Sequence, residues 1–311
     1  MTRLAALSVD LDEIGCYAAI HGLPTPAGDA ARAIYRRAVP RFERLFADLG
    51  VPATFFAIGA DVDEDLGGPV LRRLAEAGHE VGNHSLSHLY DLTRRPPATL
   101  EVEVRGGADR IEAATGRRPV GFRAPGYTIT DALFAVLAAE GVRYDSSVFP
   151  CPAYWGAKAT AIGLYRARAA LGRGRASQSI VDDPRVLSAP ADPYRVGRPY
   201  WRRGAGLVEL PIGVTRGPRL PYIGTSVALA GPRGADLLSR AMVGRPLVNL
   251  ELHGIDLADA DEDGLEALRP HQPDLRRSAA EKEAALRAAV GRLRAAGYRF
   301  VTLAEAAEAL A

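Results

Sequence analysis

Two histidines and two aspartates carry the clearest chemical signal in this sequence. His84 and His88 stand four residues apart after one short apolar run, and Asp10 and Asp12 stand two residues apart at the end of another. Positions four apart share one face of a helical turn, so both imidazoles can reach one centre, where a carboxylate would complete a set of three ligands. Three protein ligands with open positions are typical of a catalytic metal site, whereas a structural zinc site has a fourth side chain.

The same residues predict a hydrolytic reaction. Residues two apart on a strand face the same side, so Asp10 and Asp12 can share one site, one as a ligand and the other as a free base. A metal would polarise an amide carbonyl and acidify its bound water. Cleavage of an amide also needs a proton donor for the leaving amine, and His253, just before Gly254 at the end of an apolar run, can supply one as imidazolium.

Alternating short and long apolar patterns predict the elements that position these residues. Strand-like runs are predicted at 4–9, 53–58, 79–83, 120–122, 142–144, 207–212, 247–252 and 298–301. Helices are predicted at about 27–49, with a break or bend at Pro40, through 71 and 74, and at 98–115, 131–141 and 279–296. This rhythm indicates repeated βα units, and seven or eight strands favour a barrel over an open sheet.

The stretch 150–246 departs from this rhythm because it is rich in Gly, Pro and Arg. We interpret it as an irregular insertion before the last strands that shapes a pocket wall. The fold expected for 1–311 is therefore α/β, a single domain built as a distorted (β/α)7–8 barrel.

All the candidate polar residues come at the carboxyl ends of predicted strands. These residues are Asp10, Asp12, His84, Arg123, Asp145 and His253. In a βα-barrel such ends converge on one face, where active sites lie. The coincidence is more informative than any one motif.

Five short motifs occur in order along the chain. They are Ser8-Val9-Asp10-Leu11-Asp12, His84-Ser85-Leu86-Ser87-His88, Arg123-Ala124-Pro125-Gly126-Tyr127, Tyr144-Asp145-Ser146-Ser147 and Leu250-Glu251-Leu252-His253. In sequence and order they resemble the motifs of the polysaccharide deacetylase family, carbohydrate esterase family 4, whose NodB-like homology domain is a distorted βα-barrel. The resemblance covers roughly 4–145 and 247–303.

The resemblance implies a metal-dependent hydrolase that removes an N-acetyl or other acyl group from an amino sugar or glycoconjugate. It implies that Asp12, His84 and His88 hold a divalent cation and that Asp10 acts as the base. Zinc is the expected metal, with cobalt and nickel as alternatives. The substrate would thus be a carbohydrate.

The resemblance also implies roles around these ligands. Arg123 would pair with Asp10, the backbone N–H of Tyr127 would donate to the oxyanion, and Asp145 would tune His253 as the acid. Glu251, two residues before that histidine, is expected to point to the opposite face, where it could partner an arginine, and is given no catalytic role.

Two departures from the family pattern keep other functions open. The first motif reads Asp-Leu-Asp where the family usually has adjacent aspartates, and the fourth lacks its usual second Asp and Trp. Both favour, as an alternative, a cyclic-amide or ureide hydrolase or a deformylase on the same scaffold. A non-catalytic carbohydrate-binding protein is a further alternative. An iron oxygenase with a facial triad is contradicted by the βα rhythm.

Composition narrows the partners and the location. A net charge of +2, with arginines scattered among Ala and Gly, does not suggest nucleic-acid binding. Only two cysteines occur, Cys16 and Cys151, and they lack the spacing of a zinc ribbon or a disulfide framework. No apolar window is long enough to span a bilayer, and no signal peptide is recognisable, so a cytoplasmic location is expected. The oligomeric state stays open.

Overall fold

One curled sheet organises the computed structural model, which describes residues 3–172 and 177–310. Its strands are β1 Leu4–Asp10, β2 Thr54–Ala57, β3 Glu80–Asn83, β4 Gly121–Phe122, β5 Tyr144–Asp145, β6 Tyr194–Val196, β7 Arg203–Glu209, β8 Leu247–His253 and β9 Arg299–Phe300. The strand order is β6-β7-β5-β4-β3-β2-β1-β8, and β9 pairs with the start of β1. All pairs are parallel except β6 with β7. The predicted α/β class and distorted βα-barrel are confirmed, with the sheet curled into a half-barrel.

Helices connect the strands. They are α1 Ile14–His21, α2 Val39–Leu49, α3 Gly67–Glu76, α4 Pro97–Thr115, α5 Asp131–Ala139, α6 Pro152–Ala170, α7 Gly224–Met242, α8 Ala279–Ala295 and α9 Leu303–Leu310. As its sequence predicts, α5 begins at a capping residue, because the Thr130 hydroxyl accepts from the N–H of Leu133. Among the described helices, none has both the length and the apolar character needed to cross a membrane.

The helix predicted over 27–49 is instead three successive segments. A 3₁₀ segment, Gly28–Arg32, is followed by a π-helical turn, Ile34–Ala38, and then by α2. Pro40 lies in the first turn of α2, directly after the π-helical turn, so the predicted break or bend at this residue coincides with a change of helix type and not with the end of a helix.

The stretch 150–246 is more regular than its composition predicts. It contains two 19-residue helices, α6 and α7, and two strands of the sheet, β6 and β7. Its helical pattern is obscured in α7 by Gly231 and Pro232, which interrupt the helix internally. After β7 the chain runs beside β8, where the N–H of Gly213 donates to the carbonyl of Asn249 at 3.0 Å. This stretch therefore fills the gap between β7 and β8.

Strand register brings the predicted site residues to one edge of the sheet. At the carboxyl end of β1, Asp10 lies opposite His253 of β8 on one side and opposite Phe56 of β2 on the other. Further along the sheet, Phe122 of β4 lies opposite Asp145 of β5. Because neighbouring parallel strands end level with one another, their last side chains and the loops that follow surround a common space.

A close backbone approach fixes one of these loops. Gly107 in α4 lies against the loop after β3, and a Cβ atom there would come within 2.3 Å of Asn83 Oδ1 and 2.9 Å of the Ser85 carbonyl oxygen. Only glycine leaves room for the helix to pack this closely on that loop.

We predict that Gly107→Ala destabilises the protein by about 1–3 kcal/mol, because the added methyl group must displace backbone atoms. Gly291→Ala is the matched control, since a Cβ in that helix meets no atom within 4 Å, and we expect a gain of up to about 1 kcal/mol from helix propensity. Urea denaturation of both variants measures the difference. Equal midpoints would contradict the close packing.

Candidate active site

The loop after β3 presents two histidines to one point without forming a helical turn. Ser85 and His88 have positive φ angles of 68° and 54°. The helical turn expected from the four-residue spacing of His84 and His88 is therefore wrong. The Ser85 hydroxyl accepts from the N–H of His88 at 3.0 Å, which offers the backbone an alternative to a helix. Buried Glu103 of α4 holds the loop from outside by accepting from the N–H and the hydroxyl of Ser87.

The two histidines and Asp12 form a compact set. Nε2 of His84 lies 3.3 Å from Oδ1 of Asp12, and Nε2 of His88 lies 3.3 Å from Oδ2 of the same carboxylate. All three side chains are nearly fully buried. Nδ1 of His84 is 2.7 Å from the carbonyl oxygen of Arg123. A carbonyl can only accept, so Nδ1 carries the proton of the neutral ring, and Nε2 then has the lone pair that a metal ligand needs.

Several atoms of this cluster have no hydrogen-bond donor or acceptor within the described residues. They are Asp10 Oδ2, Asp12 Oδ1 and both ring nitrogens of His88. Buried polar atoms are seldom left unpaired, and these converge on one space. Two imidazole nitrogens and a carboxylate oxygen are a donor set that suits zinc and related divalent metals, so the residues fit a metal site.

The charge of Asp12 agrees with this interpretation. Burial by itself raises the pKa of its carboxyl group, but the neighbouring imidazoles of His88 and His84 hold that pKa well below its usual value. A carboxylate, and not a carboxylic acid, is the form that binds a cation.

Asp10 is held beside this set by a buried arginine. The guanidinium of Arg123 donates from Nη1 to Oδ1 of Asp10 at 2.7 Å, and neither side chain is exposed. Oδ2 of Asp10 instead faces the ligands and lies 3.8 Å from Nε2 of His84. The expected pairing of Arg123 with Asp10 is thus present, with one carboxylate oxygen anchored and the other directed at the centre.

His253, the last residue of β8, contacts Glu251, to which the sequence analysis gave no catalytic role. Its Nδ1 is 2.9 Å from Oε1 of Glu251, and the hydroxyl of Tyr127 is 3.3 Å from its Nε2. The expectation that Glu251 points away is wrong, because residues two apart on a strand share a face. This alternation along β8 was the signal that could have identified Glu251.

Asp145 is not brought to His253. Its carboxylate accepts from the hydroxyl and the N–H of Ser147, at 2.8 and 2.9 Å. Glu209 of β7 also contacts Asp145. Burial, together with the nearby Asp145 carboxyl group, raises the pKa of Glu209 well above its usual value. Asp145 therefore belongs to a buried acid pair next to the site, and its predicted tuning of His253 has no contact to support it.

Tyr127 reaches the site through its side chain. Its backbone N–H already donates to the carbonyl of Ala124 at 3.0 Å, in a tight turn where Gly126 and Tyr127 both have positive φ angles. In this conformation the N–H is not available for the oxyanion role predicted from the sequence. The hydroxyl beside His253 is what Tyr127 contributes.

A polar pocket of about 480 Å³ adjoins His88. Arg94, Arg95 and Arg166 contribute to its wall. Among the described residues of the lining, Asp91 is the only acidic one, and it pairs with Arg95 at 2.8 Å. The lining therefore carries an excess of positive charge. Its volume is within the range of small-ligand pockets.

Comparison with known proteins agrees with the motifs. The polysaccharide deacetylase family model matches residues 29–144. Among curated proteins, a peptidoglycan deacetylase of Helicobacter pylori is 27% identical over 147 residues, which are 47% of this chain and 49% of that protein. A chitooligosaccharide deacetylase of Bradyrhizobium sp. is 38% identical over 93 residues, 30% of this chain and 41% of that protein. This chain thus spans about half or less of the length of these relatives.

Solved structures share the fold. A Mycobacterium smegmatis protein assigned to the polysaccharide deacetylases matches with a TM-score of 0.59 and 19% identity, covering 100% of this chain and 91% of its own. A carbohydrate esterase family 4 pseudoenzyme from Bacillus anthracis matches with a TM-score of 0.50 and 14% identity, covering 98% of this chain and 66% of its own. Because the fold includes a pseudoenzyme, function must be argued from the site.

We predict that His84→Ala and His88→Ala each weaken zinc binding by more than about 100-fold, because changes outside the ligand set can already cost 10- to 100-fold. His271→Ala is the control, since this exposed histidine lies outside the cluster. Isothermal titration with zinc measures the affinities. Unchanged binding in both cluster variants would show that the metal, if bound, lies elsewhere.

Proposed function

We propose, from the kinship of this chain with the polysaccharide deacetylases, that it is a metal-dependent hydrolase that removes an N-acyl group, in the simplest case acetyl, from an amino sugar or glycoconjugate. The observation that carries the proposal is the buried set of Asp12, His84 and His88, whose ligand atoms converge beside Asp10. A bound divalent cation, zinc or alternatively cobalt or nickel, would polarise the substrate carbonyl and acidify water.

Asp10 is suited to the role of base in this reaction. Its Oδ1 is fixed by Arg123, and its Oδ2 faces the ligand set with no hydrogen-bond donor among the described residues. This free oxygen can take the proton of the attacking water as the carbon–oxygen bond forms. The guanidinium, which is always charged, keeps the carboxylate in one orientation.

His253 is suited to the role of acid. Burial by itself lowers the pKa of the imidazole, but the Glu251 carboxylate, with smaller contributions from Asp12 and Asp10, raises it well above its usual value. The raised pKa favours the imidazolium form, which can protonate the leaving nitrogen while the carbon–nitrogen bond breaks. Its side chain is a quarter exposed, so it can contact a substrate.

The substrate class rests on the relatives and on the pocket beside His88. The two curated relatives are deacetylases of peptidoglycan and of chitooligosaccharides by name. The arginines of the pocket would favour an amino sugar that carries an anionic group. The cytoplasmic location stays a prediction of the sequence, and with it the preference for a glycoconjugate over a mature wall polymer.

We predict that the zinc-loaded protein releases acetate from N-acetylglucosamine-containing substrates, that chelation abolishes this activity, and that zinc, cobalt or nickel restores it. Asp10→Asn should lower kcat by about 10²- to 10⁴-fold because it removes the base. Asp109→Asn is the control, since this exposed aspartate of α4 lies outside the site. A coupled assay for acetate measures the rates.

Other outcomes of that assay point to the alternatives. Turnover of cyclic amides or ureides, or release of formate, without release of acetate would replace the deacetylase proposal. Binding of a sugar without turnover in the metal-loaded protein would favour a carbohydrate-binding role.

We predict that the double variant Arg94→Ala/Arg166→Ala raises KM for a phosphate-bearing N-acetylglucosamine derivative by about 10-fold or more, since each lost ion pair weakens binding. The unsubstituted sugar serves as the control substrate, and its KM should change little. Steady-state kinetics at two ionic strengths measure both values. An equal rise for both sugars would mean that the pocket does not recognise an anion.

A further inference from the structure

We propose that Glu251 is the positioning residue of His253 and takes the place that sequence motifs assign to Asp145. This inference rests on the proposed function of His253 as the acid. The Glu251 side chain is wholly buried, and its Oε1 lies 2.9 Å from Nδ1 of His253. Both residues project from β8 toward the same face, so the strand itself holds them together.

Asp145 cannot serve His253 in the arrangement seen here. Both oxygens of its carboxylate accept hydrogen bonds from Ser147, and its other neighbour is Glu209 of β7. The two Glu251 oxygens, in contrast, accept no hydrogen bond of good geometry from the described residues. The imidazole of His253 is thus the contact available to Glu251, and it is an ion pair more than an aligned hydrogen bond.

The pairing determines which ring nitrogen meets the substrate. A carboxylate at Nδ1 favours a proton there, which leaves Nε2, 3.3 Å from the Tyr127 hydroxyl, as the nitrogen that can exchange a proton with a substrate. In the reaction, Nε2 gives its proton to the leaving nitrogen as that nitrogen takes the electron pair of the breaking carbon–nitrogen bond. The proton that Asp10 takes from water is released to solvent, and solvent returns one to the neutral imidazole.

Other groups also face His253 and must be separated from Glu251 in any test. They are Asp10, Asp12, Tyr17, Tyr127, Asp256 and Asp274. Asp256 accepts from the backbone N–H of His253 at 2.8 Å and does not contact its ring in this way. Glu251 is the carboxylate that lies against a ring nitrogen.

The same side chains could instead bind a second cation, which is the alternative to an ion pair between Glu251 and His253. Ligand atoms of Asp10, Glu251 and His253 lie within 4.8 Å of one another. However, Arg123 already donates to Asp10 at 2.7 Å, and its fixed positive charge would repel a cation at this position. The charges therefore favour a protonated imidazole over a second metal.

The experiment measures the titration of His253 directly, by NMR of the ¹⁵N-labelled zinc-loaded protein. Glu251→Gln should lower the pKa of His253 by about 1 to 3, because an opposite charge in contact is lost. Glu80→Gln is the matched control, since Glu80 is another buried carboxyl group but is bonded to Thr54 and Tyr144 at the opposite end of the sheet. It should leave the pKa of His253 unchanged. Asp145→Asn should also leave it unchanged.

The kinetic arm uses the same variants. Glu251→Gln should lower kcat by about 10- to 100-fold. It should also move the alkaline limb of the pH profile to lower pH, because activity is lost as pH rises through the pKa of the imidazolium. Glu251→Asp should restore part of the lost kcat and part of the shift of the alkaline limb. Near-UV circular dichroism identifies any variant that fails to fold, and Glu251→Asp then supplies the titration.

Three results would overturn the proposal. They are an unchanged pKa of His253 in Glu251→Gln, a lowered pKa of His253 in Asp145→Asn, and a second bound zinc that Glu251→Gln alone abolishes. The titration needs no substrate. A protein that cleaves no amino sugar but shows the expected titration would refute the proposed function while leaving the Glu251–His253 pairing intact.

Discussion

The buried ion pair between Arg123 and Asp10 is the interaction on which the rest of the site depends. A guanidinium with no solvent exposure must find partners for its donors inside the protein, and here they are Asp10, the hydroxyls of Ser8 and Ser146, and the Ser146 carbonyl. The backbone carbonyl of the same arginine accepts from His84. One residue therefore orients both the proposed base and a proposed metal ligand. Removing one member of such a pair leaves a buried charge unpaired, at a cost of about 3–5 kcal/mol.

This constraint extends to the sheet, because the partners of Arg123 come from different strands. Ser8 belongs to β1, Ser146 follows β5, and Asn249 of β8 links the two by contacting both hydroxyls. Satisfying one guanidinium thus requires three separate strands to keep their register. A shift of one residue in any of them would turn its polar side chain to the other face of the sheet. The polar interior of the barrel and the geometry at its rim are therefore set together.

The sequence predicted the parts of this arrangement that depend on residue type and strand ends. Asp12, His84 and His88 could be grouped because imidazoles and carboxylates at strand ends meet on one face of a barrel. Details set by local hydrogen bonds were not predictable in the same way: the Ser85 hydroxyl replaces the expected helical turn, and the N–H of Tyr127 is used within its own turn. Similarly, Gly231 and Pro232 hid a long helix in 150–246. The position of Glu251 was predictable from strand alternation, but motif matching assigned its role to Asp145.

Two carboxylates with different partners would allow one small site to hold the proposed base and the proposed acid at the same pH. Asp10 faces a permanent cation, Arg123, which anchors one of its oxygens and leaves the other without a hydrogen-bond donor among the described residues. Glu251 faces a titratable ring, so its charge keeps a proton on His253. Exchanging these partners would leave the base beside a proton donor and the histidine without a counter-charge. The two pairs keep separate partners although Asp10 and His253 end neighbouring strands, so the proposed base and the proposed acid would hold different charges within one small site.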